Sequence, residues 1–143
     1  MDLDGLTTVV VDTSTCIYYL DGAEGDRRRL LATRVFEHVD YGTLTVLLSP
    51  VTVTELLVRP IRLGDVRTEA FVRLFVARQC TVADASAITA SHAAEIRTRH
   101  NLRTADAFIL AIAREHAVDA VIGNDVAWKR ASGVRYLHID DFT

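Results

Sequence analysis

The sequence is poor in the residues that usually announce a function. Its 143 residues include two cysteines, Cys16 and Cys80. Neither lies in a CxxC pair or at metal-ligand spacing from a histidine, so a disulfide framework and a zinc site are both excluded, and two buried thiols in a reducing compartment are expected. The five histidines form no HxH or HExxH pattern. There is no GxSxG elbow, P-loop or GxGxxG turn, which removes the common hydrolase, nucleotide and dinucleotide sites. No apolar run is long enough to span a bilayer and no signal peptide precedes Val9, so a cytoplasmic protein without membrane attachment is expected. Lys129 is the sole lysine, and the formal net charge is −3, so any basic surface for nucleic acid has to be local. Repeats, low-complexity tracts and linkers are also missing. What remains is an ordinary balance of apolar and charged residues in a chain long enough for one core, and residues 1–143 are expected to form a single domain.

The hydrophobic pattern supplies the architecture. Short strands are expected at Thr8–Val11, Leu44–Leu48, Cys80–Val82, Ala120–Ile122 and Arg135–Ile139. The first, second and fourth are continuous apolar runs, as in a parallel sheet covered on both faces. Helical patterns fall between them. Thr15–Leu20 is short. Arg27–Asp40 carries Leu30, Leu31, Val35 and Val39 on one side. Pro50–Arg59 starts after Ser49 as cap, with Pro50 in its first turn and Pro60 at its end. Val66–Arg78 and Ala87–Arg99 follow, then Thr104–His116, which is apolar nearly all round and so belongs inside the domain. A last short helix ends at Ser132–Gly133. Strands alternating with helices give an α/β fold, a three-layer α/β/α sandwich around a mainly parallel five-stranded sheet.

In such a sheet ligands bind beyond the carboxyl ends of the strands, and the acids of the apolar segments gather there. "VVVDTS" ends the first strand in Asp12. "SPVTVTELL" places Glu55 on the second turn of the next helix. "RTADAFILAIA" places Asp106 in the first turn of the most apolar helix, and "VIGNDVAW" ends the fourth strand at Asp125. Each has an ordinary explanation taken singly. Asp12 or Thr13 can cap the following helix, Asp106 can favour a helix dipole, Asp125 can cap the turn before Trp128, and Glu55 can pair with Thr52. Together they place four charges at one edge of the sheet. Two carboxylates ~4 Å apart repel by about 4 kcal/mol at an effective dielectric of about 20. Such a cluster takes up protons or holds a cation, and an all-oxygen donor set selects Mg²⁺ or Mn²⁺.

These segments, with "LRTADAFILAIAREHAVDAVIGND" and the closing "VRYLHIDDF", resemble the PIN-domain family, and more narrowly the VapC-type toxin ribonucleases of bacterial toxin–antitoxin pairs. The resemblance covers essentially the whole chain in order. It implies that Asp12, Glu55, Asp106 and Asp125 hold Mg²⁺ or Mn²⁺ for hydrolysis of RNA phosphodiesters, with Thr13 or Ser14 and Asn124 as supporting polar residues. It also implies a sheet order 3-2-1-4-5, a homodimer and a cognate antitoxin. Two positions depart from the family pattern: Ala105 stands where many relatives have Pro, and Gly123 where Thr or Ser is common. "TCIYYL" and "FVRLFVARQ" carry more apolar bulk than one helix face buries, which fits interfaces. Of two basic stretches, "DRRRL" and "RTRHNLR", the second leads into Asp106, so Arg97, Arg99, Arg103 or His100 are candidates to contact RNA. Rival readings are a phosphoacceptor receiver domain, an aspartyl-nucleophile phosphatase, a PIN-type nuclease of RNA maturation without an antitoxin, and an interaction module that kept only the fold. Ser14 stands where the phosphatase D-x-D needs its second acid.

Overall fold

The structure, a computed structural model, describes residues 3–131 and 133–141. Five parallel strands, β1 (Thr8–Val11), β2 (Thr45–Leu48), β3 (Thr81–Val82), β4 (Ala120–Gly123) and β5 (Tyr136–His138), form one sheet in the order β3-β2-β1-β4-β5. Thr8 pairs with Thr45 on one side, and Val9 with Ala120 on the other. The expected order is therefore met, and the sheet is parallel throughout.

The helices are α1 (Thr13–Asp21), α2 (Arg27–Asp40), α3 (Pro50–Leu63), α4 (Val66–Gln79), α5 (Ala87–His100), α6 (Thr104–Glu115) and α7 (Trp128–Ala131), with a single 3-10 turn at Ile139–Asp141. Alternation along β1 divides the core. Val9 and Val11 pack with α1 to α4 on one face, and Val10 packs with α5, α6 and α7 on the other. All three valines are fully buried, and the polar residues stand only at the ends of the run, Thr8 at its start and Asp12 just past Val11. On the first face Tyr19 stacks on Phe36, with centroids 4.4 Å apart, and Phe36 meets Phe75 edge to face at 5.1 Å. No helix among the described residues is long and apolar enough to cross a membrane.

Several boundaries move, for local reasons. β2 begins at Thr45, because the Leu44 N–H is taken by the His38 carbonyl at the end of α2. β5 shortens to Tyr136–His138, since Ile139 already turns into the 3-10 segment. Helix α1 starts two residues early, with Asp12 itself as cap. Helix α3 does not stop at Pro60. It runs on to Leu63 with Pro60 buried inside it, and closes on Gly64 in the left-handed region. Leu30 is 57% exposed, and Leu31, Ala32, Val35 and Phe36 form the inner face of α2. Ser132, expected at the end of the last helix, and Phe142, the final residue of the closing motif, lie outside the described residues.

Candidate metal centre

Strand order reverses direction between β1 and β4, so the crevice beyond their carboxyl ends is the switch point of the sheet. An open cleft of about 330 Å³ lies there. Its wall is formed by Asp12, Thr13 and Ser14 after β1, Arg103 and Asp106 at the start of α6, and Asn124, Asp125, Val126 and Trp128 after β4.

Asp12 is 5% exposed and fully engaged. Oδ1 accepts from the backbone N–H and the hydroxyl of Thr15, both at 2.7 Å, and Oδ2 accepts from the Asn124 N–H at 3.0 Å. The helix-cap reading is thus correct, and it coexists with a place in the cleft. Three accepted bonds leave a carboxylate with lone pairs to spare. Burial pushes the Asp12 carboxyl above its ordinary value, against the pull of the Thr15 and Asn124 hydrogen bonds, and the charge of Asp106 adds to the rise.

Asp106, 9% exposed, sits in the first turn of α6. Arg103 caps that helix by position and grips the carboxylate as a fork, Nε to Oδ2 at 3.2 Å and a terminal nitrogen to Oδ1 at 3.3 Å. The guanidinium is raised above its ordinary value, chiefly by this bond, and it also feels Glu55 and Asp125. The four acids therefore share one electrostatic field. Glu55 is placed differently from the other three. It borders an adjoining apolar groove rather than the cleft itself, and its Oε1 accepts from the Thr13 hydroxyl at 2.7 Å, so Thr13 bridges the two spaces. Asp125 is at the surface, where Oδ1 accepts from the Ala127 N–H at 2.9 Å and starts the turn toward α7.

The donors match a hard divalent cation in type, since all are carboxylate oxygens around a wet cleft. Held by Thr15, Thr13 and Arg103, they do not crowd one point: among the described residues no group of three His, Cys, Asp or Glu side chains stands close enough to hold an ion. Of the basic candidates, only Arg103 reaches the cleft. Arg97 donates to the Leu102 carbonyl at 3.1 Å and fixes the loop that presents Arg103. Arg99 is exposed, and neither it nor His100 borders the cleft.

A model of the PIN domain matches residues 9–134. This chain belongs to the PIN-domain family. The match begins at β1 and runs past β4, so it takes in every acid of the site. No curated protein sequence matches the chain. Among solved structures, the PIN chain resembles one from DNA-bound VapBC of Salmonella typhimurium (22% identity, TM-score 0.73, 94% of this chain and 99% of that one). It also resembles one from FitAcB of Neisseria gonorrhoeae (19%, 0.67, 94% and 99%). A third is VapC20 of Mycobacterium tuberculosis, described as a toxin that cleaves the sarcin–ricin loop (20%, 0.67, 86% and 94%). At these identities the likeness is one of fold.

Sequence reasoning missed the tyrosines of this PIN site. A Cβ at Gly123 would stand 3.0 Å from Asp12 Oδ2 and 3.0 Å from the Tyr136 hydroxyl. Gly123 thus lets β5 bring Tyr136 against Asp12, filling the space a larger residue would take. The Tyr136 hydroxyl is buried with no hydrogen bond of ordinary geometry. Burial, with the charge of Asp12, raises its pKa. The only sequence signal was the departure at 123, and its partner thirteen positions away carried none. Gly123→Ala is expected to push Asp12 off its Asn124 bond and lower activity about tenfold or more. Tyr136→Phe in the same chain removes the opposing oxygen and should restore most of the loss. A double-mutant cycle on activity and melting temperature checks this, and strict additivity would refute the contact.

Proposed function

We propose that this PIN domain, a single domain over residues 1–143, is a divalent-metal-dependent endoribonuclease, the toxin of a toxin–antitoxin pair acting in the cytoplasm. The observation that carries the reading is the meeting of Asp12, Asp106 and Asp125 around one cleft at the β1/β4 switch, with Glu55 joined to it through Thr13. Asp12, Asp106, Asp125 and Glu55 would hold Mg²⁺, or Mn²⁺ in its place. When bound, the ion lowers the pKa of a water and offsets charge on the phosphoryl and leaving oxygens. Thr13 orients Glu55, Ser14 and Asn124 line the cleft, and one carboxylate takes the proton of the water that attacks phosphorus. Arg103, freed from Asp106, meets an RNA phosphate, for which its fork is suited.

Stability tests the metal reading without knowledge of the RNA sequence. At ten times its dissociation constant, a cation that binds only the folded state adds about 1.4 kcal/mol, roughly a few degrees in melting temperature for a chain of this size. Wild type should show this shift with Mg²⁺ or Mn²⁺ against EDTA at matched ionic strength, and Asp106→Asn should show little of it. Equal shifts in both proteins would remove Asp106 from the ligand set. Cleavage of RNA in Mg²⁺, silenced by EDTA, is the accompanying activity test.

A groove beside the cleft is the proposed docking place of the antitoxin. α1, α3 and α4 border a groove of about 570 Å³, lined by the apolar Ile17, Leu20, Leu56, Pro60, Leu63, Phe71 and Val72 together with the polar Asp21, Glu55, Arg59, Asp65, Arg67 and Thr68. Ile17, Leu63 and Phe71 are 46%, 67% and 56% exposed, so the groove presents large apolar side chains to solvent. The "TCIYYL" and "FVRLFVARQ" segments contribute Ile17 and Leu20, and Phe71 and Val72. A cognate antitoxin is the proposed occupant here, with a homodimer as the proposed assembly. Phe71→Asp should weaken capture of the antitoxin encoded beside this gene while leaving RNA cleavage by the free protein unchanged. Unaltered capture would move the docking site elsewhere.

A further inference from the structure

Asn124 holds Asp12 by its backbone N–H, and it is itself held at both of its other polar ends. Its side-chain amide donates to the Tyr18 hydroxyl at 2.8 Å, and its carbonyl lies 3.0 Å from His138 Nε2. Tyr18 also accepts from Arg28 at 3.0 Å, and the Arg28 guanidinium lies 5.5 Å from the centre of the Tyr18 ring. Arg28 grips Asp140 as a two-bonded fork, both contacts at 2.8 Å. The Asp140 backbone N–H donates to His138 Nδ1 at 3.1 Å. The path closes on itself: Asn124, Tyr18, Arg28, Asp140, His138 and back to Asn124.

The circuit determines the state of its histidine. Nδ1 accepts from Asp140, so the ring proton is on Nε2, where it donates to the Asn124 carbonyl. His138 is 7% exposed, so both ring nitrogens depend on these partners. The Tyr18 ring packs against the core of the first sheet face, while the polar atoms of the circuit lie at the carboxyl end of the sheet. The circuit ties α1, α2 and the end of β5 to Asn124, whose backbone N–H donates to the second oxygen of Asp12.

We infer that Tyr18 and His138 are positioning residues for the reaction, fixing Asn124 and through its N–H the carboxylate of Asp12. The kinetic part of this rests on the function proposed above, whereas the structural part does not. Tyr18→Phe keeps the ring and removes the shared hydroxyl. His138→Gln retains a donor and an acceptor at similar reach, and His138→Ala has neither.

The experiment is steady-state RNA cleavage with a Mg²⁺ titration, together with backbone amide exchange at Asn124 in the metal-free protein. Tyr18→Phe and His138→Ala should lower kcat about tenfold or more with KM for RNA unchanged, raise the Mg²⁺ needed for half-activity, and speed Asn124 exchange about tenfold. His138→Gln should recover most of each effect. Folding is controlled by melting temperature and by exchange at Val9 and Val121 in the sheet, which should not change. Wild-type kcat and unchanged Asn124 exchange in Tyr18→Phe would overturn the inference. If wild type proves inert on RNA, the proposed function falls, and faster Asn124 exchange in the variants still upholds the positioning of Asp12, just as unchanged exchange refutes it.

Discussion

Asp12→Asn yields a folded protein whose RNA cleavage is slower by about two to three orders of magnitude, the range seen when one group that meets transition-state charge is removed. The geometry explains why a near-isosteric change costs so much. The new amide keeps one oxygen for the Thr15 N–H and hydroxyl, so α1 remains capped. Its nitrogen then replaces Oδ2 and faces the Asn124 N–H, donor against donor. A proposed metal ligand becomes a neutral donor, and the residue that held it is pushed away. Melting curves distinguish this from unfolding, and the pH dependence supplies an independent check. Burial raises the folded-state pKa of Asp12 above its ordinary 3.8. The folded protein therefore binds the proton more tightly than the unfolded chain does. This group's cost is fully present above the raised pKa and is relieved as pH falls toward 3.8. Without metal, acidification should move the difference between wild type and Asp12→Asn in favour of wild type. A difference that is flat from pH 7 to pH 4 would mean that Asp12 is not held in an unfavourable charged state.

Trp128→Ala destabilises the protein by about 3–5 kcal/mol, the usual cost of truncating a buried aromatic, or roughly ten degrees in melting temperature. Trp128 is 1% exposed, forms part of the cleft wall and stands 6.1 Å from the Tyr136 ring, so its loss opens a cavity in that wall. Trp128→Phe separates volume from polarity. The indole N–H is buried without a hydrogen-bond partner, and an unsatisfied buried donor costs ~1–3 kcal/mol. Phenylalanine loses packing but removes that cost, so its effect should be about 1 kcal/mol or less. Calorimetry of both variants measures the balance. Equal losses in the two would show that the indole nitrogen is satisfied in solution.

Much of this was legible because it depends on short-range pattern. Val9 to Val11 read as a strand buried on both faces, and Asp12, Asp106 and Asp125 each follow or open an apolar element, so the sheet edge they share follows from topology. Asp12 as cap and Asp12 as site acid looked like alternatives in one dimension. In the fold its two oxygens serve both roles at once. Arg97, Arg99 and Arg103 were equivalent as letters, and only the turn after α5 shows that Arg97 is spent on Leu102 while Arg103 meets Asp106. The helix reading stopped at Pro60 because a proline interrupts the amide ladder, yet its ring is buried within α3 and the helix closes four residues later. Tyr18, Arg28, His138 and Asp140 had no legible spacing at all: their bonds join positions up to 112 residues apart, and no periodicity reports a contact of that kind.

The bond from the Asn124 N–H to Asp12 Oδ2 also spans 112 residues, and β1 gains its second neighbour only when β4 is in place. Parallel sheets of such long-range pairing form late. A growing chain on the ribosome that has not yet released β4 has Asp12 held by Thr15 alone, without the Asn124 N–H that fixes its second oxygen, and Arg103 and Asp106 without the opposite wall of their cleft. Synthesis thus acts as a delay: the proposed nuclease site stays unassembled until β4 and the residues that follow it have left the ribosome.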